Sequence, residues 1–256
     1  MQTKAWARTW SIMRLAMAAL IVAAIVAQLT ASLTTAADLG RDVGTTFVNF
    51  FSFFTILSNA LTAVVLAWAA LWFFTRGRHA AAEPPALALS LACVTTYMVI
   101  TGIVYNALLR GIELPQGSEP IPWSNETLHL IGPLFLLADL FVGPLRRALP
   151  WRAVWAVIAF PILWVLYTML RGPFVTNPIS GDLFWYPYPF LNPNNPGGWG
   201  AVIFWIVVIA VTFLVVAALV VWWGRRVGAE RELDHITGDH VEDEWEEARE
   251  AEADER

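Results

Sequence analysis

Residues 201–223 read AVIFWIVVIAVTFLVVAALVVWW, a run of 23 residues without a charged side chain. At about 1.5 Å per residue, a helix of this length crosses the roughly 30 Å hydrocarbon core of a bilayer. Five more apolar stretches are long enough to do the same: Ile12 to Ser32, Phe47 to Phe74, Ala86 to Leu109, Asn125 to Leu145 and Ala153 to Leu170. Apolar residues make up 57% of the chain and charged residues 14%, a membrane composition. The sequence therefore predicts an all-α integral membrane protein, with a bundle of six transmembrane helices in residues 1–227.

Basic residues mark one side of the predicted bundle. The amino end, alternate loops and the segment after the last helix hold most of them: Lys4, Arg8, Arg14, Arg76, Arg78, Arg146, Arg147, Arg152, Arg225 and Arg226. The other loops hold Arg41, Arg110 and Arg171. Because basic loops stay in the cytoplasm, the pattern predicts that both termini are cytoplasmic.

The first apolar stretch resembles a secretory signal, because Lys4 and Arg8 precede it and the Ala-rich segment 33–37 follows it. Its apolar part, of roughly 18 to 20 residues, is longer than the 7 to 15 residues of a signal core and long enough to span a bilayer. We therefore expect a retained first helix.

The net charge of −5 comes from the end of the chain. Residues 1–227 contain 13 basic and 8 acidic side chains, and residues 228–256 contain 3 basic and 13 acidic ones. The second segment has few apolar residues, which predicts an acidic cytoplasmic tail that is solvated and disordered or weakly helical. One lysine against fifteen arginines favours a bacterial protein, and hence a multi-pass protein of the bacterial plasma membrane.

Thr55 and His129 are polar residues within long apolar segments. A histidine in hydrocarbon loses hydration that apolar neighbours cannot replace, so it normally faces a bundle interior or a watery cavity and marks a working site. If the second and fourth helices begin on the outside near Phe47 and Trp123, Thr55 lies about 12 Å and His129 about 9 Å below the outer surface. The two residues are therefore expected at one level, in the outer half of the bilayer.

Other polar residues are expected near the same level. Asn59 lies four residues after Thr55 on one helix face, and Tyr105 and Asn106 lie at the outer end of the third helix. Glu126 precedes His129 by three residues. Polar residues of this kind often join helices without any chemical role.

In the fourth helix, Pro133 predicts a kink and Asp139 predicts an ion pair. Pro133 follows His129 at i+4, and its missing N–H predicts a kink beside the histidine. Asp139, towards the cytoplasmic side, is expected to pair with Arg146 or Arg147, although an isolated carboxylate there would also suit a proton path.

The long outer loop, residues 171–199, contains six prolines and the aromatic run 185–190, WYPYPF. Prolines exclude one continuous helix. Trp185, Tyr186 and Tyr188 suit a rigid aromatic cap that acts as a lid or a substrate-access element, or else an ordinary interfacial belt.

Three motifs resemble those of the androgen-induced / FAR-17a-like family: Phe54-Thr55 with Ile56 and Leu57, the stretch 129–135 with Pro133-Leu134-Phe135, and Trp185 to Leu191. The resemblance extends over residues 47–223. Similar animal proteins are transmembrane hydrolases of fatty acid esters of hydroxy fatty acids, with a threonine nucleophile and a histidine. The resemblance implies these roles for Thr55 and His129. The acidic tail and Asn125-Glu126 depart from the family pattern.

The chemistry of these two residues is coherent in itself. A threonine hydroxyl needs a base within roughly 2.6 to 3.2 Å to become a nucleophile, and His129 is the neutral-pH candidate. Asn59, Asn106 or a tyrosine hydroxyl is the expected oxyanion stabiliser, and Glu126 is a candidate to orient the imidazole. No Gly-x-Ser-x-Gly elbow of an α/β-hydrolase is present.

The sequence offers few ligands for a cofactor. Cys93 is the only cysteine, so neither an internal disulfide nor a multi-thiolate metal site is expected. A haem held by two intramembrane histidines lacks its second ligand, and a zinc site lacks a convincing ligand set. The resemblance, with the chemistry of Thr55 and His129, therefore implies an ester hydrolase that acts on membrane lipids or lipid-like esters, and we expect no metal, cofactor or nucleic acid partner. A non-enzymatic lipid-binding protein or a small-molecule transporter is the alternative.

Overall fold

The computed structural model describes the backbone of residues 4–254 and the side chains of residues 4–227. Eight α-helices occur over these residues: α1 (Lys4–Asp38), α2 (Val43–Phe50), α3 (Phe54–Thr75), α4 (Pro85–Val104), α5 (Pro122–Glu126), α6 (Gly132–Val142), α7 (Ala153–Arg171) and α8 (Gly198–Asp254). Two π-helical turns, Tyr105–Leu109 and Thr127–Ile131, extend α4 and join α5 to α6. Short 3-10 turns cover Gly77–His79, Gly172–Phe174 and Pro189–Leu191.

Six helical segments of the described chain are long and apolar enough to cross a membrane: Lys4–Asp38, Phe54–Thr75, Pro85–Leu109, Pro122–Val142, Ala153–Phe174 and Gly198–Val227. This confirms the prediction of an all-α, six-helix membrane fold. The helices alternate in direction, so residues 110–121 and 175–197 lie at one end, the long-loop end. Residues 76–84 and 143–152 lie at the opposite, basic-loop end.

The predicted start of the second spanning helix near Phe47 is wrong. Residues 43–50 form the separate helix α2, and Phe53 has an extended backbone, with φ −71° and ψ 131°, directly before α3. The Phe53 ring packs edge-on against Trp185 and Tyr188, each with ring centroids 5.6 Å apart. Residues 51–53 contain neither glycine nor proline, so the sequence carries no local signal for the break. Thr55 consequently lies in the first turn of α3, rather than about two turns below the start of a longer helix.

Helix α4 lies at the centre of the bundle, where it contacts α3, α6, α7 and α8, while α1 packs along α3. The buried core includes Ile21 of α1, Leu66 of α3 and Leu91 and Met98 of α4, all without exposed surface. Helices α7 and α8 expose much of their apolar surface, which is the surface expected to face lipid.

The fourth spanning segment departs from a regular α-helix around its histidine. Residues Thr127–Ile131 form a π-helical turn between α5 and α6. Pro133 has no N–H, so it cannot donate to the carbonyl four residues before it, that of His129, or to the one five residues before it, that of Leu128. Such π turns commonly lie at functional sites. Gly102 permits close packing here, since a β-carbon on it would lie 3.0 Å from Cβ of Pro133.

A buried ionic cluster holds the basic-loop end together. Asp139 accepts hydrogen bonds from Arg14 Nε at 2.7 Å and from Arg146 Nη2 at 2.7 Å, and also from the indole of Trp10. Asp139 has no exposed surface, and the two arginines are 3% and 6% exposed. The predicted pairing with Arg146 is confirmed, but the second partner is Arg14. Arg147 instead donates to the backbone carbonyl of Glu83 at 2.6 Å.

The backbone of α8 continues through the acidic segment to Asp254. The side chains of residues 228–256 lie outside those that the structure describes, so the predicted solvated tail stays a prediction.

Candidate functional site

A cavity of about 490 Å³ opens within the long-loop end of the bundle. We call it the main cavity. Thr55 and His129 both line it, together with Tyr105 and Tyr188. The two residues that the sequence singled out, 74 positions apart in the chain, therefore border the same space.

Thr55 is held by a tyrosine. Its hydroxyl lies 3.3 Å from the Tyr188 hydroxyl, and its backbone N–H donates to the same oxygen at 3.3 Å. Thr55 is in the first turn of α3, where backbone N–H groups have no helical acceptor and carry a partial positive charge. Burial raises the pKa of Tyr188 above its ordinary value, so its hydroxyl stays protonated and able to donate.

The His129 ring has a defined tautomer. Its Nδ1 lies 3.0 Å from the backbone carbonyl oxygen of Asn125, and a carbonyl oxygen only accepts. Nδ1 therefore carries the hydrogen, and Nε2 keeps a free lone pair. This bond fixes the ring as the acceptor of a proton at Nε2.

Tyr105 lies against the histidine ring. The two ring centroids are 3.7 Å apart with an interplanar angle of 23°. The Tyr105 hydroxyl accepts a hydrogen bond from Asn125 Nδ2 at 2.7 Å. Asn125 therefore holds both aromatic rings, one by its backbone and one by its side chain, although sequence analysis gave it no role.

Glu126 does not orient the imidazole. Its carboxylate forms two hydrogen bonds with Arg110, at 2.7 and 3.1 Å, and the guanidinium also lies 5.3 Å from the centroid of the Tyr105 ring. Glu126 and Arg110 therefore support Tyr105 from outside the cavity.

Asn59 and Asn106 join helices through their amide nitrogens. Asn59 Nδ2 donates to the carbonyls of Thr55 at 2.9 Å and Leu128 at 3.1 Å. Asn106 Nδ2 donates to the carbonyls of Gly102 at 2.8 Å and His129 at 3.1 Å. Because an amide nitrogen has two hydrogens, neither side chain has a donor left for an oxyanion. Each satisfies one of the two carbonyls to which Pro133 cannot donate.

Of the three aromatic residues expected to form a lid, Tyr188 lines the main cavity. Trp185 is 2% exposed, and its indole N–H donates to the carbonyl of Pro115 at 3.4 Å. Tyr186 packs on Gly172, where a β-carbon would lie 2.3 Å from the tyrosine ring. Trp185 and Tyr186 thus anchor the loop to its neighbours.

Sequence analysis missed the segment that covers the main cavity. Residues 111–114 and 116–120 line it. Gln28 of α1 fixes this segment by donating to Ser118 Oγ at 3.0 Å and by accepting from the backbone N–H of Ile121 at 2.9 Å. A glutamine inside the first apolar stretch was the available signal, because a buried amide needs partners.

A second, smaller space also borders Thr55. It has a volume of about 50 Å³ and is lined mainly by apolar side chains of α3, α4, α7 and α8. We call it the apolar cleft. Thr55, Tyr105 and Tyr188 line both spaces, whereas His129 lines the main cavity.

The described structure contains no hydrogen bond between Thr55 and His129, and no group of three or more metal-ligating side chains. Comparison of the chain with protein-family models, curated proteins and solved structures gave no match. The family resemblance therefore stays a prediction.

Proposed function

We propose that the protein is an intramembrane hydrolase of lipid esters of the fatty-acid-ester type, with Thr55 as nucleophile and His129 as base. The observation that carries this proposal is that both residues line one cavity of about 490 Å³, with the free lone pair of the histidine on Nε2. Ester hydrolysis needs a nucleophile, a proton acceptor and a space for the substrate at one place.

In the proposed reaction, Thr55 Oγ1 attacks the ester carbonyl carbon and transfers its proton to His129 Nε2. The bond from this carbon to the alcohol oxygen then breaks, and the imidazolium gives the proton to the departing oxygen. Water next attacks the carbonyl carbon of the acyl-threonine and gives a proton to His129. The bond from this carbon to Thr55 Oγ1 then breaks, the imidazolium returns the proton to Oγ1, and the carboxylic acid leaves. Proton transfer requires the two side chains to approach each other on substrate binding, or one bridging water.

The developing oxyanion has two donors beside the nucleophile in this mechanism. The Thr55 N–H at the start of α3 and the Tyr188 hydroxyl, which now contact each other at 3.3 Å, would both turn to the carbonyl oxygen. Donors of this kind typically contribute about 10²- to 10³-fold to the rate. The positive end of the helix dipole favours the same negative charge.

The lack of a hydrogen bond between Thr55 and His129 favours the second candidate, a lipid-binding protein that holds its ligand in the main cavity without chemistry. In that case Thr55 and His129 would contribute to binding only. Turnover therefore has to be measured separately from binding.

The proposed location is the bacterial plasma membrane, with both termini in the cytoplasm. The basic residues at the basic-loop end support this orientation. The main cavity would then open in the outer half of the bilayer, where lipid esters are accessible from the outer leaflet.

The deciding experiment measures acylation and turnover in purified, detergent-solubilised protein. An alkyne-tagged activated ester with a short acyl chain should label the wild type at Thr55, as located by peptide mass spectrometry. Thr55→Ala should abolish labelling and His129→Ala should weaken it strongly. The double variant should be scarcely slower than either single variant, because nucleophile and base act as one unit.

Two substitutions serve as controls. Thr62→Ala removes a buried threonine of the same helix whose hydroxyl donates within α3 at 2.7 Å, and His79→Ala removes a histidine of the basic-loop end. Both should leave labelling and turnover unchanged. Ester turnover that survives Thr55→Ala and His129→Ala would refute the mechanism, and binding of esters without any turnover would establish the lipid-binding alternative.

A further inference from the structure

Thr55 borders two spaces of different size and polarity. The main cavity, of about 490 Å³, is bordered by polar and charged side chains such as Gln28, Arg41 and Glu119. The apolar cleft, of about 50 Å³, is bordered by Phe54, Trp164, Phe190 and Phe213, among other apolar residues. The two parts of an ester held at Thr55 would therefore enter different surroundings.

The position of His129 decides which part enters which space. In the proposed reaction the alcohol oxygen leaves with a proton from His129 Nε2, so the alcohol part has to lie on the side of the histidine. His129 lines the main cavity and does not line the apolar cleft. The acyl part, on the other side of the carbonyl carbon, is then directed into the cleft.

Packed aromatic rings line the apolar cleft. Phe213 of α8 is 7% exposed, and its ring packs edge-on against Phe54 with centroids 5.6 Å apart. Tyr188 stacks on Phe190 with centroids 5.2 Å apart. Since a water molecule needs roughly 10–15 Å³ of such space, the cleft holds about three to five groups of that size.

We propose that the apolar cleft is the acyl site of the hydrolase and that Phe213 limits the length of the acyl group it accepts. The alcohol part, with roughly ten times the space, occupies the main cavity. This assignment rests on the proposed function. Among fatty-acid esters, it selects those in which a short acyl chain is joined to a larger, partly polar alcohol.

The test is the acyl-length dependence of hydrolysis with the alcohol kept constant. A series of 4-nitrophenyl esters with two to twelve acyl carbons gives kcat/KM for each length. The wild type should prefer the short members. Phe213→Ala should raise the ratio of kcat/KM for the eight-carbon ester to that for the two-carbon ester by roughly tenfold or more, because a few added methylenes gain contact in the enlarged cleft.

A second variant acts in the opposite direction. Ile209→Phe adds a ring at a half-buried residue of the same cleft, so it should lower the eight-to-two-carbon ratio. Phe204→Ala is the matched control, because Phe204 is a phenylalanine of α8 that is 60% exposed and borders neither space. It should leave the ratio unchanged.

A second series varies the alcohol and keeps an acetyl group. Phe213→Ala should leave the alcohol preference of the enzyme unchanged. The acyl-site assignment would be overturned if the wild type hydrolyses these esters and both Phe213→Ala and Ile209→Phe show the same eight-to-two-carbon ratio as the wild type. The hydrolase proposal would then still stand. Should the wild type hydrolyse no ester of either series, the proposed function and the acyl site would both be refuted.

Discussion

The side-chain amide of Asn106 donates a hydrogen bond of 3.1 Å to the backbone carbonyl of His129. The residue four positions after His129 is Pro133, which has no N–H to donate to that carbonyl. A side chain of α4 thus supplies the hydrogen bond that the helix of the histidine cannot. Asn59 does the same for Leu128 at 3.1 Å, so two neighbouring helices fix the backbone that presents the imidazole.

Asn106→Leu should lower stability by about 1 kcal/mol, because it leaves the His129 carbonyl without this donor. Thermal unfolding in detergent, followed by tryptophan fluorescence, measures the loss. In a Pro133→Ala background the backbone N–H at residue 133 becomes available, and the same substitution should cost less. Equal losses in both backgrounds would show that Asn106 does not act through the proline-induced gap.

Tyr188→Phe should reduce ester turnover by about 10²- to 10³-fold with little change in KM, because it removes the hydroxyl proposed to stabilise the oxyanion. The remaining ring keeps its packing against Phe53 and Phe190. The matched control is Tyr97→Phe, which removes a buried hydroxyl that donates to the Val157 carbonyl at 2.8 Å, away from both spaces. Unchanged turnover in Tyr188→Phe would assign the tyrosine to packing alone.

Arg14→Met should destabilise the protein strongly, by about 3–5 kcal/mol, because Asp139 is fully buried and would lose one of its two cationic partners. Arg152→Met, at an exposed arginine of the same end, should have no comparable effect. Thermal unfolding of the three proteins in one detergent provides the comparison. Any Arg14→Met protein that remains folded should keep its ester turnover, since the cluster lies at the opposite end from Thr55.

Cysteine labelling in intact cells tests the orientation. In a Cys93→Ala background, a membrane-impermeant maleimide added from outside should label Glu113→Cys but not Arg78→Cys, because residue 113 belongs to the long-loop end and residue 78 to the basic-loop end. Both residues are exposed. Labelling of Arg78→Cys alone would reverse the orientation and place the main cavity at the cytoplasmic face.

The structure differs most from the sequence-based prediction where contacts between residues far apart in the chain accompany the local conformation. The second spanning helix begins at Phe54 and not near Phe47, and Phe53, the extended residue before it, packs against two aromatic rings of the loop 175–197. The expected oxyanion donors Asn59 and Asn106 both donate to backbone carbonyls instead. Glu126 pairs with Arg110, a partner that local spacing does not indicate.

The sequence by itself determined that this is a six-helix membrane protein, because run length and hydropathy are local properties and every spanning segment must bury its own backbone hydrogen bonds. It also singled out Thr55 and His129, since polar side chains lose hydration in hydrocarbon and are therefore rare within spanning segments. Only the tertiary structure decided that these residues border one cavity, that Tyr188 contacts the threonine, and that Asn125 sets the tautomer of the histidine. The shared cavity and the Thr55–Tyr188 contact join residues far apart in the chain, and the bond from His129 to Asn125, although only four residues apart, depends on the side-chain orientation that packing selects.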